Sequence, residues 1–380
     1  MAKFDEIAHS GGKITFTTTV DAAGNLGTQL RYQNSRPVPA QIIGVYALWP
    51  GIVVEELSLG GIGTPWPVPK YPGSLPVLIG SDGEGKFGHH CPDCGQYWRS
   101  GSHPNFCPYC GISAPSFSFL SKAQLAYVQL YVEKLEEAGQ SDEGSEIVID
   151  LDEVADATLG RCEKPAFYIS EERQQTLLNC AECGEFNDII GRFGHCSVCY
   201  TRNDLAVLVE DVFPSLRADL DNKKRPEEVL LRAVSAFEVL IKNYVARIVE
   251  EVPMIPERKD KLSKSRFRDL DALDIVLSEF FGINIRPGID EAAWVTCNRL
   301  IQRRHVYEHN GGVVDSEYVE KTGDTSVRIG ELITEDLGSV HQYLSTTARI
   351  ARAVHDGFHS MLPPRTDIIE RHKARQKAHG

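Results

Sequence analysis

Cys91-Pro-Asp-Cys94 with Cys107-Pro-Tyr-Cys110, and Cys180-Ala-Glu-Cys183 with Cys196-Ser-Val-Cys199, are the stretches around which the chain is organised. Each block is a pair of Cys-x2-Cys turns 12 residues apart, and the second block repeats the first at an offset of 89 residues. A Cys-x2-Cys turn lets two thiolates face one ion while backbone amides point at the sulfurs. Two such turns supply the four soft donors that tetrahedral Zn²⁺ takes at about 2.3 Å. The blocks therefore predict two zinc ribbons, over residues 86–115 and 179–203. Cys91, Cys94, Cys107 and Cys110 would hold one structural Zn²⁺, and Cys180, Cys183, Cys196 and Cys199 the other.

Four thiolates leave no open coordination position, so no catalytic metal is expected. Gly95, Gly111 and Gly184 follow three of the four turns, as a tight turn favours, and Tyr200 follows the fourth. Disulfides are the alternative, disfavoured in a chain read as cytoplasmic. His89, His90 and His195 flank the blocks and read as surface histidines, since the thiolates already suffice. Cys162 and Cys297 are left over. Cys297 lies at helical spacing from Trp294 and Ile301 and reads as a small core residue.

Before the first ribbon, residues 1–85 read as a β-rich domain. Ile14, Phe16, Thr18 and Val20 alternate, Asp21–Asn25 supplies a turn, and Leu26–Tyr32 would return as the partner strand; Gln41–Leu48 and Ile52–Leu59 are further apolar runs. Residues 116–178 read as a helix starting at Ser121, followed by an acidic linker with a short strand at Ile147–Leu151.

Of 380 residues, 40 are Lys or Arg and 53 Asp or Glu, a formal charge of −13. Tyr131–Glu163 alone carries 11 acidic and two basic residues. That balance excludes a protein that coats nucleic acid non-specifically, but leaves room for a local basic site. The most apolar stretch, Ala40–Val54, is broken by Gly44, Pro50 and Gly51 and falls short of the roughly 20 residues of a membrane span. With no basic-then-apolar leader at the N-terminus, a cytoplasmic chain without membrane association is expected.

From Pro226 the pattern becomes helical, with Leu230, Ala233, Val234, Phe237, Ile241, Tyr244 and Ile248 on one face. Further helices are predicted around Phe267–Phe281, from Asp290 toward Tyr307, and over Glu331–Phe358. The whole reads as a multidomain α+β protein. A β-rich N-terminal domain and two ribbons precede an all-α four-helix bundle over 222–360, and a basic, mobile tail occupies 361–380.

The third bundle helix ends in Arg303-Arg304-His305-Val-Tyr-Glu308-His309-Asn310-Gly311-Gly312, where the glycines are stop signals. His305 and His309 share a face, whereas Arg304 and His309 stand about 140° apart and need not converge on one ideal helix; a partner subunit could complete the site. Arg304-His305-Val-Tyr-Glu-His309 resembles the Arg-polar-x3-His motif of the HEPN superfamily, and Asn310-Gly-Gly-Val-Val-Asp315 continues as such domains often do. The resemblance covers about residues 222–360. It implies a HEPN-like four-helix bundle and metal-independent RNA cleavage at a site formed across a homodimer, often in defence or toxin systems.

The chemistry is coherent on its own terms. His309 can transfer protons near neutral pH, Arg304 can stabilise charge on a phosphorane, and His305 or Asn310 can orient groups. The alternative is that Arg304 and His309 merely cap and salt-bridge a helix end. Glu257–Arg268, with six basic and two acidic residues, could track a phosphate backbone. The expected RNA-contacting set is Arg258, Lys259, Lys261, Lys264, Arg266, Arg268, Arg299 and Arg303. Tyr97, Trp98, Arg99 and Tyr109 are candidates for base stacking. Two functions follow: an endoribonuclease of a stress or defence system whose N-terminal half receives a trigger or guides substrate, or a non-catalytic dimeric scaffold recruiting protein or nucleic acid.

Overall fold

The computed structural model describes residues 12–20, 26–34, 41–60, 66–101, 103–139, 146–150, 173–222, 225–263 and 269–379. The chain divides into two compact units, Met1–Thr201 with Arg365–Gly380, and Arg202–Pro364. No helix among the described residues is long and apolar enough to cross a membrane. The turn Asp21–Asn25, Cys162 and most of the acidic run lie outside the described residues.

In the first unit the strands are β1 (Gly12–Val20), β2 (Leu26–Asn34), β3 (Ile42–Leu48), β4 (Ile52–Leu57), β5 (Leu75–Gly80), β6 (Phe87–His90), β7 (Tyr97–Ser100), β8 (Glu146–Asp150), β9 (Thr176–Asn179) and β10 (Phe186–Ile189), with helix α1 (Lys122–Gly139) between β7 and β8. β1 and β2 pair antiparallel from Gly12↔Asn34 to Val20↔Leu26, as the alternation predicts, and β8 adds to the other edge of β1. A second sheet runs β4-β3-β5. Tyr127, Val128, Tyr131 and Val132 of α1 share one core with Ile14, Phe16, Val45, Val77, Ile79 and Ile149 of the strands.

Sequence boundaries at 85 and 116 thus cut through a single core: the helix and short strand read within 116–178, α1 and β8, complete the β-rich domain. Ser121 and Gln124 exchange a side-chain-to-amide pair at the start of α1 (3.1 and 2.8 Å), fixing where it begins. Gly51 in the β3–β4 turn sits so close to the helix that a Cβ there would lie 2.5 Å from the Cα of Gln129. Only glycine permits that approach.

The two ribbons are not independent. Their strands make one four-stranded antiparallel sheet, β6-β7-β10-β9. β6 and β7 map onto β9 and β10 at the same 89-residue offset as the cysteines, and the two halves join at Asn187↔Ser100 and Asp188↔Arg99. The amide of His195 donates to Pro108 O (2.8 Å) and, at the equivalent positions with roles exchanged, the amide of Phe106 donates to Ser197 O (2.9 Å). Reciprocal bonds of this kind are the mark of a two-fold relation, as in an isologous dimer interface, here within one chain.

The second unit is helical. Asp204–Ala206, a π segment Val207–Val212 and Phe213–Asp221 run on as α2, followed by α3 (Pro226–Glu251), α4 (Pro256–Ser263), α5 (Leu270–Phe281), α6 (Glu291–Asn310), α7 (Ser316–Thr322) and α8 (Leu337–Met361). Phe237, Ile241 and Tyr244 of α3, Trp294, Cys297 and Leu300 of α6 and Tyr343, Ile350 and Val354 of α8 form its core. The core placement of Cys297 follows its spacing.

Asp269, Asp290, Asp315 and Asp336 each accept the backbone amide three residues on (2.7–2.9 Å), so four helices begin at a capping carboxylate worth about 1 kcal/mol each. The cap at Asp336 starts the last bundle helix later than the Glu331 expected from periodicity. Gly311, with φ +61°, ends α6 where the sequence stops it.

The tail is a helix, α9 (Thr366–His379), rather than a mobile segment. It belongs to the first unit, where the Arg365 amide donates to Cys199 O (2.9 Å) and Ile369 packs on the second cysteine block. Its apolar face is short, Ile368 and Ile369, which is why composition alone reads it as a tail.

Candidate functional site

Each cysteine block closes on itself. Sγ–Sγ separations are 3.7 Å for Cys91–Cys110 and Cys94–Cys107, and 3.6 Å for Cys180–Cys199 and Cys183–Cys196. All four sulfurs of each block lie within 4.8 Å of one another. A tetrahedron with metal–sulfur bonds of about 2.3 Å has edges of about 3.8 Å, and a disulfide would bring two sulfurs to about 2.05 Å. The donor sets fit one metal ion per block.

All four turns are built alike. The amide of the first cysteine donates five residues ahead, to Gln96, Ile112, Glu185 and Thr201 O. The residue after the second cysteine is left-handed: Gly95 (φ +71°), Gly111 (+76°), Gly184 (+72°) and Tyr200 (+76°). In that conformation Tyr200 costs roughly 1–2 kcal/mol, and it stacks on His195 (ring centroids 4.4 Å) and packs against Phe106 (5.0 Å).

Two of the three flanking histidines are not where the sequence puts them. His89 and His195 are buried rather than on the surface. His89 Nε2 pairs with Gly101 O (3.0 Å), and burial pushes its pKa down to about 3, so it stays a neutral core side chain. Trp98 and Arg99 are likewise fully buried, Trp98 against Phe119, and neither can stack on a base. Tyr109 is half-buried and donates to Tyr97 O (2.8 Å).

The second candidate site is a cleft of about 240 Å³ at the C-terminal end of α6. Arg304, His305 and His309 all line it, together with Glu238 of α3, Glu308, Asp315, and Glu317, Tyr318 and Lys321 of α7. The 140° between Arg304 and His309 is spanned within one chain, because the cleft wraps the helix end between α3 and α7. Arg304 reaches Glu238 with Nη1, and its Nε donates to Glu308 (3.0 Å). Burial would weaken the guanidinium's proton affinity, yet these two carboxylates raise its pKa above the ordinary value.

The rings of His305 and His309 stand 4.4 Å apart, both exposed to solvent. Asn310 donates to Asp315, the N-cap of α7. The Tyr318 amide, that Asn310 bond and the nearby His305 hold the Asp315 carboxyl below its usual range. Asn310 therefore braces the wall of the cleft and is not among the lining side chains.

Arg303 must be withdrawn from the RNA-contacting set. It is buried and bonded to Tyr318 Oη (3.1 Å), Glu335 (3.0 Å) and Asp324 (2.9 Å), tying α6 to α7 and to the segment before α8. Arg299 is one-third exposed, with Nη1 3.9 Å from Asp324. Arg258 and Lys261 lie on α4 over the Phe280 ring (5.3 and 5.1 Å) and Lys259 is half-buried, while Lys264, Arg266 and Arg268 lie outside the described residues. Glu238, Glu317 and Lys321 were invisible to motif reading; Glu238 lies 66 residues before Arg304 and carries no local signal. Compared with models of known protein families, with curated proteins and with solved structures, the chain has no match.

Proposed function

We propose that the helical unit is a HEPN-type, metal-independent endoribonuclease of a defence, toxin or stress system, acting as a homodimer in the cytoplasm, and that the two cysteine blocks hold structural Zn²⁺. The observation that supports it is the convergence of Arg304, His305 and His309 on one cleft. His309, exposed at the rim, serves as acid/base toward an RNA 2′-OH or its leaving group. Arg304 stabilises the phosphorane charge through its planar donors, exchanging Glu238 for a phosphate oxygen. Lys321, Arg299 and the α4 cations Arg258, Lys259 and Lys261 offer the phosphates of the flanking strand a path. The ribbons and β-rich domain receive the trigger.

The test is cleavage of single-stranded RNA by the wild type and by His309→Ala, without added divalent metal. Loss of cleavage in the variant, with a 2′,3′-cyclic phosphate on the wild-type product, supports the reading; equal cleavage moves the site elsewhere.

One observation favours a second reading, a binding-only scaffold. Four carboxylates, Glu238, Glu308, Asp315 and Glu317, face the cleft against Arg304 and Lys321. A polyanion enters such a cleft only if the histidines protonate or a partner supplies cations.

A further inference from the structure

The two ribbons repeat each other in sequence and in fold, but among the described residues only one of them is covered. On the second, α9 lies across the metal-binding turns. Ile369 is buried among Cys180, Cys183, Cys196 and Cys199, Lys373 pairs with Glu182 (2.7 Å), and the Arg365 amide caps Cys199 O. The fit is close: a Cβ on Gly184 would stand 2.4 Å from the His372 ring. All four sulfurs are buried there.

On the first ribbon nothing among the described residues lies across the equivalent positions. Cys94, at the place of buried Cys183, is exposed, and Cys110 is only partly covered. Gly95, at the place of Gly184, has nothing within 4 Å of where a Cβ would be. Asp93 stands in the place of Glu182, one acidic residue for another, and is exposed to solvent. Ile112, on the adjoining turn, is 36% exposed. The two faces share backbone geometry turn for turn, and each carries an acidic residue just before its second cysteine.

We propose that the turn face of the first ribbon, residues 92–96 with 110–112, docks a basic amphipathic helix of a protein partner that presents the pattern α9 presents to the second ribbon: two adjacent apolar residues, then a His and a Lys one turn further on. Charge selects protein over nucleic acid here. Asp93 and four thiolates around one divalent ion make the face negative, as Glu182 and its thiolates do opposite Lys373. The proposal is independent of the chemistry of the α6 cleft.

The probe is a synthetic peptide of residues 364–380 carrying a photo-crosslinker, added to the full-length, metal-loaded chain. Expected are saturable binding at one peptide per chain, crosslinks to residues 92–96 or 110–112, and an affinity reduced roughly tenfold or more by Asp93→Lys but retained in Glu182→Lys. Three results would overturn the proposal: no binding up to about 1 mM, a level at which only negligible affinity escapes notice; crosslinks confined to residues 181–185, meaning displacement of the resident α9; or competition by a single-stranded RNA oligonucleotide with affinity unchanged in Asp93→Lys. Asp93 is exposed, so its substitution leaves the fold intact; circular dichroism and zinc content verify this in the same preparation.

Discussion

Arg99 and Asp188 occupy the same position in the two ribbons, and they face each other across the join: Arg99 Nε stands 3.0 Å from Asp188 Oδ2, with both side chains fully buried. A two-fold relation brings equivalent residues together at its axis, where identical charges would repel. Duplication within one chain lets the two differ, and an ion pair replaces the repulsion. Arg99 also binds Asp82 and Glu84 (both 2.8 Å), so one guanidinium holds three carboxylates.

Removing that guanidinium leaves Asp82 buried without a counter-ion and Asp188 with only the more distant charge of Arg173; burial already pushes both carboxyls above their ordinary range. Arg99→Met should destabilise the first unit by about 3–5 kcal/mol. Denaturant unfolding followed at the ribbons measures it, and a change below about 0.5 kcal/mol, ordinary for a surface substitution, would refute the role.

Metal content should be two zinc ions per chain, and their release should be unequal. Chelator should strip the first ribbon, with Cys94 exposed, faster than the second, whose sulfurs are all buried. A chromogenic zinc indicator should therefore record two phases, and deletion of residues 365–380 should speed the slower one. One phase of unchanged rate in the deletion would count against α9 as the cover.

Replacing Arg304 or His309 by Ala should lower RNA cleavage by roughly 10²–10⁴ with the helical unit still folded, since both side chains lie outside its core. Glu238→Gln should act in the opposite direction on binding. With one of its two carboxylates gone, Arg304 is freer to take a phosphate, and fluorescence anisotropy should show RNA held a few-fold more tightly. Weaker binding in Glu238→Gln would mean that the ion pair positions Arg304 rather than restraining it.

The Arg303–Asp324 pair fixes a pH dependence. Hydrogen bonds from Ser326, Arg303 and Tyr318 outweigh burial and hold the Asp324 carboxyl well below its ordinary value of 3.8. A depressed folded pKa means stability that is present above the unfolded value and lost as pH falls through the folded one. Asp324→Asn should thus cost about 3–5 kcal/mol at neutral pH, and the gap to wild type should stay constant down to about pH 4 and narrow below it. Amide exchange in α6 and α7 reads this apart from acid release of metal in the first unit; a gap that widens with acid would contradict the sign.

Self-association supplies a further check on the cleft. Light scattering at tens of micromolar, a concentration that populates dimers of micromolar Kd, should find a homodimer; a monomer throughout would require the cleft to work from one chain.

Local chemistry was legible in the sequence. Cysteine spacing determined the two metal-binding blocks, because thiolates with two residues between them share a turn. The alternation in β1 and β2, the apolar stripe of α3, and Gly311 after His309 determined their elements, because backbone periodicity and left-handed glycine act over a few residues. The tertiary structure decided what depends on distant segments meeting. It set Arg99 and Trp98 in the interior, merged two ribbons into one sheet, laid α9 over only one of them, and turned Arg303 into a buried strut. It also brought Glu238 to Arg304 across 66 residues. Whether a charged side chain meets water or a counter-ion depends on which surfaces pack together, and no run of neighbouring residues encodes that.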